Sequence, residues 1–184
     1  MRTYRRIKIE GACYFFTVNL AKRYENNLLI QHIDELRNAF RKIKNNHPFI
    51  IDTIVILPEH CLWQLPQGDA DYSTRWRLIK SEFSKSLKKE EYVSKSRQRK
   101  KERGIWQRRF WEHLIRDDKD YLYHFNYIHY NPVKHGYVTR VRDWQYSSFH
   151  RWVAKCIYPI DWATMDDSTI YKLNCWVTLF RCAQ

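Results

Sequence analysis

The chain has 184 residues, 44% of them apolar, which is enough to bury one core and too apolar for disorder throughout. Lys and Arg number 33 against 20 acids, a net charge of +13 that points to a polyanion as partner. An anionic membrane would call for a basic amphipathic helix, a lipidation signal or a long apolar span, and the sequence shows none of these. The basic segment before Ala12 is not followed by a secretory cleavage pattern, and the five cysteines are scattered with no CxxC pair. They argue against a disulfide framework or zinc knuckle and read as reduced thiols of a cytoplasmic protein.

Residues 12–20 are rich in aromatic and β-branched side chains and predict a strand. Ile33, Leu36, Phe40 and Ile43 recur at helical spacing, so an amphipathic helix is expected over 31–45, with Pro48 beyond its end. Phe49 to Leu57 and Cys61 to Leu65 are β-prone runs joined by Pro58-Glu59-His60 and read as a hairpin. Ser73 is placed to cap a helix through Trp76, Ile79, Phe83 and Leu87. From Lys80 to Arg109 there are 12 Lys and Arg against 4 Glu, a local excess of +8. Residues 95–103 carry almost no apolar side chain and read either as a solvated mobile loop or as a basic loop that orders on phosphate. Arg75, Lys80, Arg97, Arg99, Lys100, Lys101, Arg103, Arg108 and Arg109 are the candidate DNA contacts.

A short strand is expected within 105–115. Asp117 and Asp118 then mark a helix start, and Pro132 predicts its end near Asn131. On that helix Leu122, Phe125 and Ile128 gather with Tyr121 as a core face, while Asp120, His124, Tyr127 and Asn131 line up on the other side. Two readings follow: the solvated face of an ordinary helix, or a reaction centre in which a tyrosine acts as nucleophile toward phosphorus. Two strand–helix–strand passes predict an α+β sheet with helices packed on one face.

Tyr127-Ile128-His129-Tyr130-Asn131-Pro132-Val133-Lys134-His135-Gly136 resembles the active-site helix of the REP-associated tyrosine transposases, which belong to the single-tyrosine, HUH-type superfamily. The segments 14–20, 71–80, 106–113 and 158–163 resemble further blocks of the family in the same order, so the likeness spans roughly residues 4–163. It implies a ferredoxin-like antiparallel sheet over residues 1–163, followed by a C-terminal tail, 164–184, of unknown role. It also implies recognition of repetitive extragenic palindrome hairpins, with cleavage and rejoining of single-stranded DNA through a 5′-phosphotyrosine. Tyr127 would be the nucleophile and Asn131 a contributor to a magnesium or manganese site. The family pattern on the hairpin strand is His, an apolar residue, then His. Here the segment is Pro58-Glu59-His60-Cys61-Leu62-Trp63, two residues short, so only His60 remains, with Glu59 as a substitute oxygen ligand. An active strand transferase and a DNA-binding relative with a degraded metal site are thus both open. An RNA-binding protein fits the charge but not the ordered blocks.

Overall fold

The computed structural model describes residues 6–22, 26–57 and 60–163, with the backbone alone for residues 60–64. The expected tail, 164–184, lies outside the described residues. In chain order come β1 (Cys13–Thr17), α1 (Leu28–Gln31), α2 (Ile33–Asn46), β2 (Ile50–Val55), β3 (His60–Gln64), α3 (Tyr72–Ser86), α4 (Lys95–Arg99), β4 (Trp111–Leu114), α5 (Asp118–Lys134) and α6 (Phe149–Ala154). The four strands form one antiparallel sheet in the order β2-β3-β1-β4. Two interleaved β-α-β units with this order make the ferredoxin-like arrangement.

Alternation along β1 divides the core. Tyr14 and Phe16 pack with Leu36, Ala39 and Ile43 of α2 and with Trp76, Ile79 and Phe83 of α3. Phe15 points the other way and packs, with Val55, against Phe125 and Ile128 of α5 and Phe149 of α6. The expectation of helices on one face is therefore corrected: α2 and α3 cover one face, and α5 with α6 covers the other. The second layer has its anchor in β1 itself, where Phe15, between Cys13 and Thr17 on that face, is large and apolar and needs a cover.

Two helix ends also differ from expectation. Asp71, not Ser73, caps α3, its carboxylate accepting from the Thr74 N–H at 3.0 Å. The α5 helix starts as expected, with Asp117 accepting from the Asp120 N–H at 2.8 Å, but it runs through Pro132 to Lys134. Proline removes one helical hydrogen bond, and the last turn is held by other means. Val133 is in the core, and Gly136, at φ +71°, lets the chain close a Schellman motif. The Tyr137 N–H donates to the Pro132 carbonyl and the Gly136 N–H to that of Val133, both at 3.0 Å.

Candidate active site and nucleic-acid surface

The polar stripe of α5 is not a solvated face. It lies against the sheet, where His124 is 9% exposed and Asn131 fully buried. Tyr127 is half-buried, its ring edge-on to Phe15 at 6.0 Å and stacked on Tyr123 at 6.2 Å. Lys134, seven residues on, brings its ammonium to 4.5 Å from the Tyr127 ring centre and 3.5 Å from the phenolic oxygen. The Asn131 Nδ2 donates to the Tyr127 carbonyl at 3.4 Å, while its Oδ1 is buried with no hydrogen-bond partner among the described residues. A buried amide oxygen left so can serve a cation as a ligand.

One turn before Tyr127 the same stripe carries a second constellation. Asp120 Oδ2 accepts from His113 Nε2 at 2.8 Å and from the Arg116 N–H at 3.0 Å. Its Oδ1 lies 3.0 Å from His124 Nδ1, which also donates to the Asp120 carbonyl at 2.9 Å. The two imidazoles stack at 4.6 Å. Burial opposes ionisation of Asp120, but the His113 and Arg116 hydrogen bonds and the nearby imidazole charges hold its carboxyl below the usual range. Burial pushes His124 below the ordinary histidine value, against the hydrogen bond to Asp120. His113, Asp120 and His124 form a group able to hold a metal ion. The Asp120–His124 spacing of four was visible in the sequence. His113 comes from β4, and only the fold brings it there.

Phe15 is the hub of this surface, touching Trp111 at 5.5 Å, His124 at 4.7 Å and Tyr127 at 6.0 Å. Trp111 stacks on His113 at 5.9 Å and is 51% exposed; Tyr123 is 48% exposed. Of the metal ligands expected from the sequence, Asn131 lies on α5 one turn after Tyr127, its side chain buried. The backbone of His60 opens β3 opposite Val55 and Thr17, and Thr17 pairs in turn with Trp111. The His60 side chain and Glu59 lie outside what the structure describes.

The expected DNA contacts divide in two. Arg75 is only 2% exposed; it pairs with Asp69 Oδ2 at 2.6 Å and donates to the carbonyls of His47, Pro48 and Asp71. It is corrected to an internal brace. Arg103 likewise pairs with Glu91 and donates to the carbonyls of Ser84, Leu87 and Lys88. Lys80 donates to the Gln107 carbonyl at 2.9 Å, and Arg97 to that of Trp106 at 3.2 Å. Arg103, Lys80 and Arg97 fasten the 84–107 segment, which has α4 inside it. Arg108 is exposed and paired with Glu102 at 2.8 Å, and Arg99, Lys100, Lys101 and Arg109 are exposed. The described residues contain no helix long and apolar enough to cross a membrane.

Fold and site define a basic ferredoxin-like protein that presents a tyrosine beside potential cation ligands and exposed aromatic rings. Comparison with known proteins narrows this. No family model matches the chain. It is 48% identical over 165 residues to a REP-associated tyrosine transposase of Escherichia coli (strain K12), covering 89% of this chain and 92% of that one. It is 49% identical over 173 residues to a putative REP-associated tyrosine transposase of Haemophilus influenzae (strain ATCC 51907 / DSM 11121 / KW20 / Rd), covering 92% and 98%. A solved structure of a REP-associated tyrosine transposase bound to a REP hairpin superposes with a TM-score of 0.76 at 49% identity, covering 89% and 92%. The chain belongs to the REP-associated tyrosine transposases.

Proposed function

We propose that this chain, as a single unit over residues 1–163, binds REP hairpin DNA in the cytoplasm and cuts and rejoins a single strand beside it through Tyr127. The observation that carries the reading is Tyr127 itself, held on α5 over Phe15 with the Lys134 ammonium 3.5 Å from its hydroxyl. The Tyr127 oxygen attacks the phosphorus of a phosphodiester and the P–O3′ bond breaks. The 5′ phosphate stays on the tyrosine, the phenolic proton passes to solvent, and the leaving 3′ oxygen takes up a proton. Attack by a 3′ hydroxyl reverses the step and reseals a strand. Lys134 stands where phosphoryl oxygens gather negative charge. The exposed rings of Trp111 and Tyr123 offer stacking surface to unpaired bases, and Arg99, Lys100, Lys101, Arg108 and Arg109 offer charge to the backbone.

A magnesium or manganese ion, as the family resemblance implies, would polarise the phosphate. The buried Oδ1 of Asn131 fits such an ion, and His60 with Glu59 would complete the set, one imidazole short of the family pattern. That shortage favours a second reading, a DNA-binding relative whose cleavage is slow. Tyr127→Phe separates the two. It removes only the nucleophilic oxygen, so a covalent protein–DNA adduct seen with the native chain on a hairpin with a single-stranded flank should vanish while binding persists. An adduct that survives, or that maps to Tyr123 or Tyr130, overturns the assignment; no adduct from the native chain selects the second reading.

A further inference from the structure

We propose that His113, Asp120 and His124 are a binding site for one divalent transition-metal ion, set beside Tyr127 on the β4 side of the sheet. The catalytic meaning of this site rests on the reading of Tyr127 as nucleophile; its existence does not. One ligand atom from each residue lies within 4.8 Å of the other two. Around an ion with bonds of about 2.1 Å, tetrahedral ligand atoms are about 3.4 Å apart and trans ones about 4.2 Å, so closing the cluster takes a movement of roughly 0.5–1.5 Å. Rotation about side-chain torsions supplies that without moving β4 or α5.

The donor set gives the ion's class. Two imidazoles and one carboxylate suit manganese, cobalt or zinc, whereas magnesium prefers oxygen throughout. Without an ion, His113 Nε2 and His124 Nδ1 each share a proton with one oxygen of the same carboxylate, at 2.8 and 3.0 Å. A cation displaces those protons. A neutral imidazole would keep its proton on its other ring nitrogen, and a protonated one would release its second proton to solvent. Three protein ligands leave coordination positions open, which a phosphate oxygen can fill.

The location makes good what β3 lacks. Phe15 pairs with His113 on one side and with Leu62 on the other, so β4 holds a histidine in the same cross-strand row as the hairpin-strand position two residues after His60. The Phe15 ring touches both His124 and Tyr127, at 4.7 and 6.0 Å. The chain thus keeps two imidazoles near its tyrosine, drawn from β4 and α5 instead of β3.

The test uses the full chain and metal alone, without DNA. Cobalt(II) is titrated by visible absorption and manganese(II) by electron paramagnetic resonance, on the native chain and on His113→Gln, His124→Gln, Asp120→Asn and His60→Gln. The expected result is about one ion per chain, bound far better as cobalt or manganese than as magnesium. Binding should weaken at least about 10-fold in each cluster variant, as loss even of a supporting partner does, and remain in His60→Gln. Circular dichroism identifies variants that have not folded. Because Asp120 also holds the Arg116 N–H, the histidine variants carry the decision. No saturable binding, with the cluster occupied by protons alone, overturns the proposal, and so does binding lost in His60→Gln but kept in His113→Gln and His124→Gln. An ion bound at the cluster in a chain that forms no DNA adduct refutes the strand-transfer reading and leaves the metal site standing.

Discussion

Acid should loosen the helix that carries Tyr127, and His129 is the reason. This residue is fully buried on α5, its Nε2 2.7 Å from Thr53 Oγ1 on β2 and 2.9 Å from Ser148 Oγ at the start of α6. Burial holds its pKa down to about 3, against about 6.5 for a free histidine. The folded value is below the unfolded one, so the unfolded chain takes up the proton first. The stability this group allows is complete above about pH 6.5 and declines as pH falls toward about 3, by about 1.4 kcal/mol per pH unit and about 5 kcal/mol in all. A domain of this size commonly has 5–15 kcal/mol to lose. The assay is urea unfolding of the native chain and His129→Gln near pH 7, 6 and 5. Glutamine can keep one bond in the Thr53–Ser148 pair and cannot titrate, and other groups shared by both proteins cancel in the difference. The variant should be the less stable near pH 7, with a deficit that shrinks by about 1.4 kcal/mol for each pH unit below about 6.5. A deficit unchanged between about pH 7 and pH 5 would mean that the folded protein accommodates the charged imidazole, and would refute the argument.

Asp52 runs the opposite way. Burial raises its pKa to about 6 against the pull of Arg151 and the Cys13 hydrogen bond, so its contribution is fullest below about pH 4 and is lost as pH rises to about 6; Asp52→Asn should therefore gain stability relative to the native chain over that interval, as denaturation at several pH values would show. Arg75→Met leaves the Pro48 carbonyl and the Asp69 carboxylate without their partner and should cost roughly 3 kcal/mol in chemical unfolding, with DNA affinity of the folded fraction unchanged. Trp111→Ala should weaken binding of a single-stranded flank by roughly 1–3 kcal/mol in a fluorescence titration and leave a blunt hairpin less affected. Replacing Arg99, Lys100, Lys101 and Arg109 together by Gln should flatten the dependence of affinity on salt, by about one in the log–log slope for each phosphate contact removed; an unchanged slope would remove this surface from the DNA.

Much of the fold was legible because periodicity is a local property. The spacing of Ile33, Leu36 and Ile43 located α2, and the β-prone runs located β1 and the β2–β3 pair. Periodicity says which residues share a face, but not what will cover that face. The stripe of Asp120, His124, Tyr127 and Asn131 was visible as a stripe, yet its burial depends on Phe15 and its neighbours forming a second apolar side of the sheet. Charge is equally silent about place. Arg75 and Arg99 look alike in a count of basic residues, and only the Pro48 carbonyl and Asp69 distinguish the brace from the exposed side chain. The Asp120–His113 contact joins a helix to a strand seven residues earlier, across a turn whose geometry no spacing rule contains. Tyr127 and Asn131 stood out as candidates because family likeness and helical phase both pick them out.

The β3 strand pairs on both sides, opposite β2 and opposite β1, with each residue answerable to two neighbours. Losing one residue from such a strand would turn every later side chain to the wrong layer and is a lethal edit. Losing two restores the alternation, so the core sees no difference while the chemistry at the strand's end is rewritten. A scaffold built this way can shed a ligand in a single event and keep the alternation of its sheet.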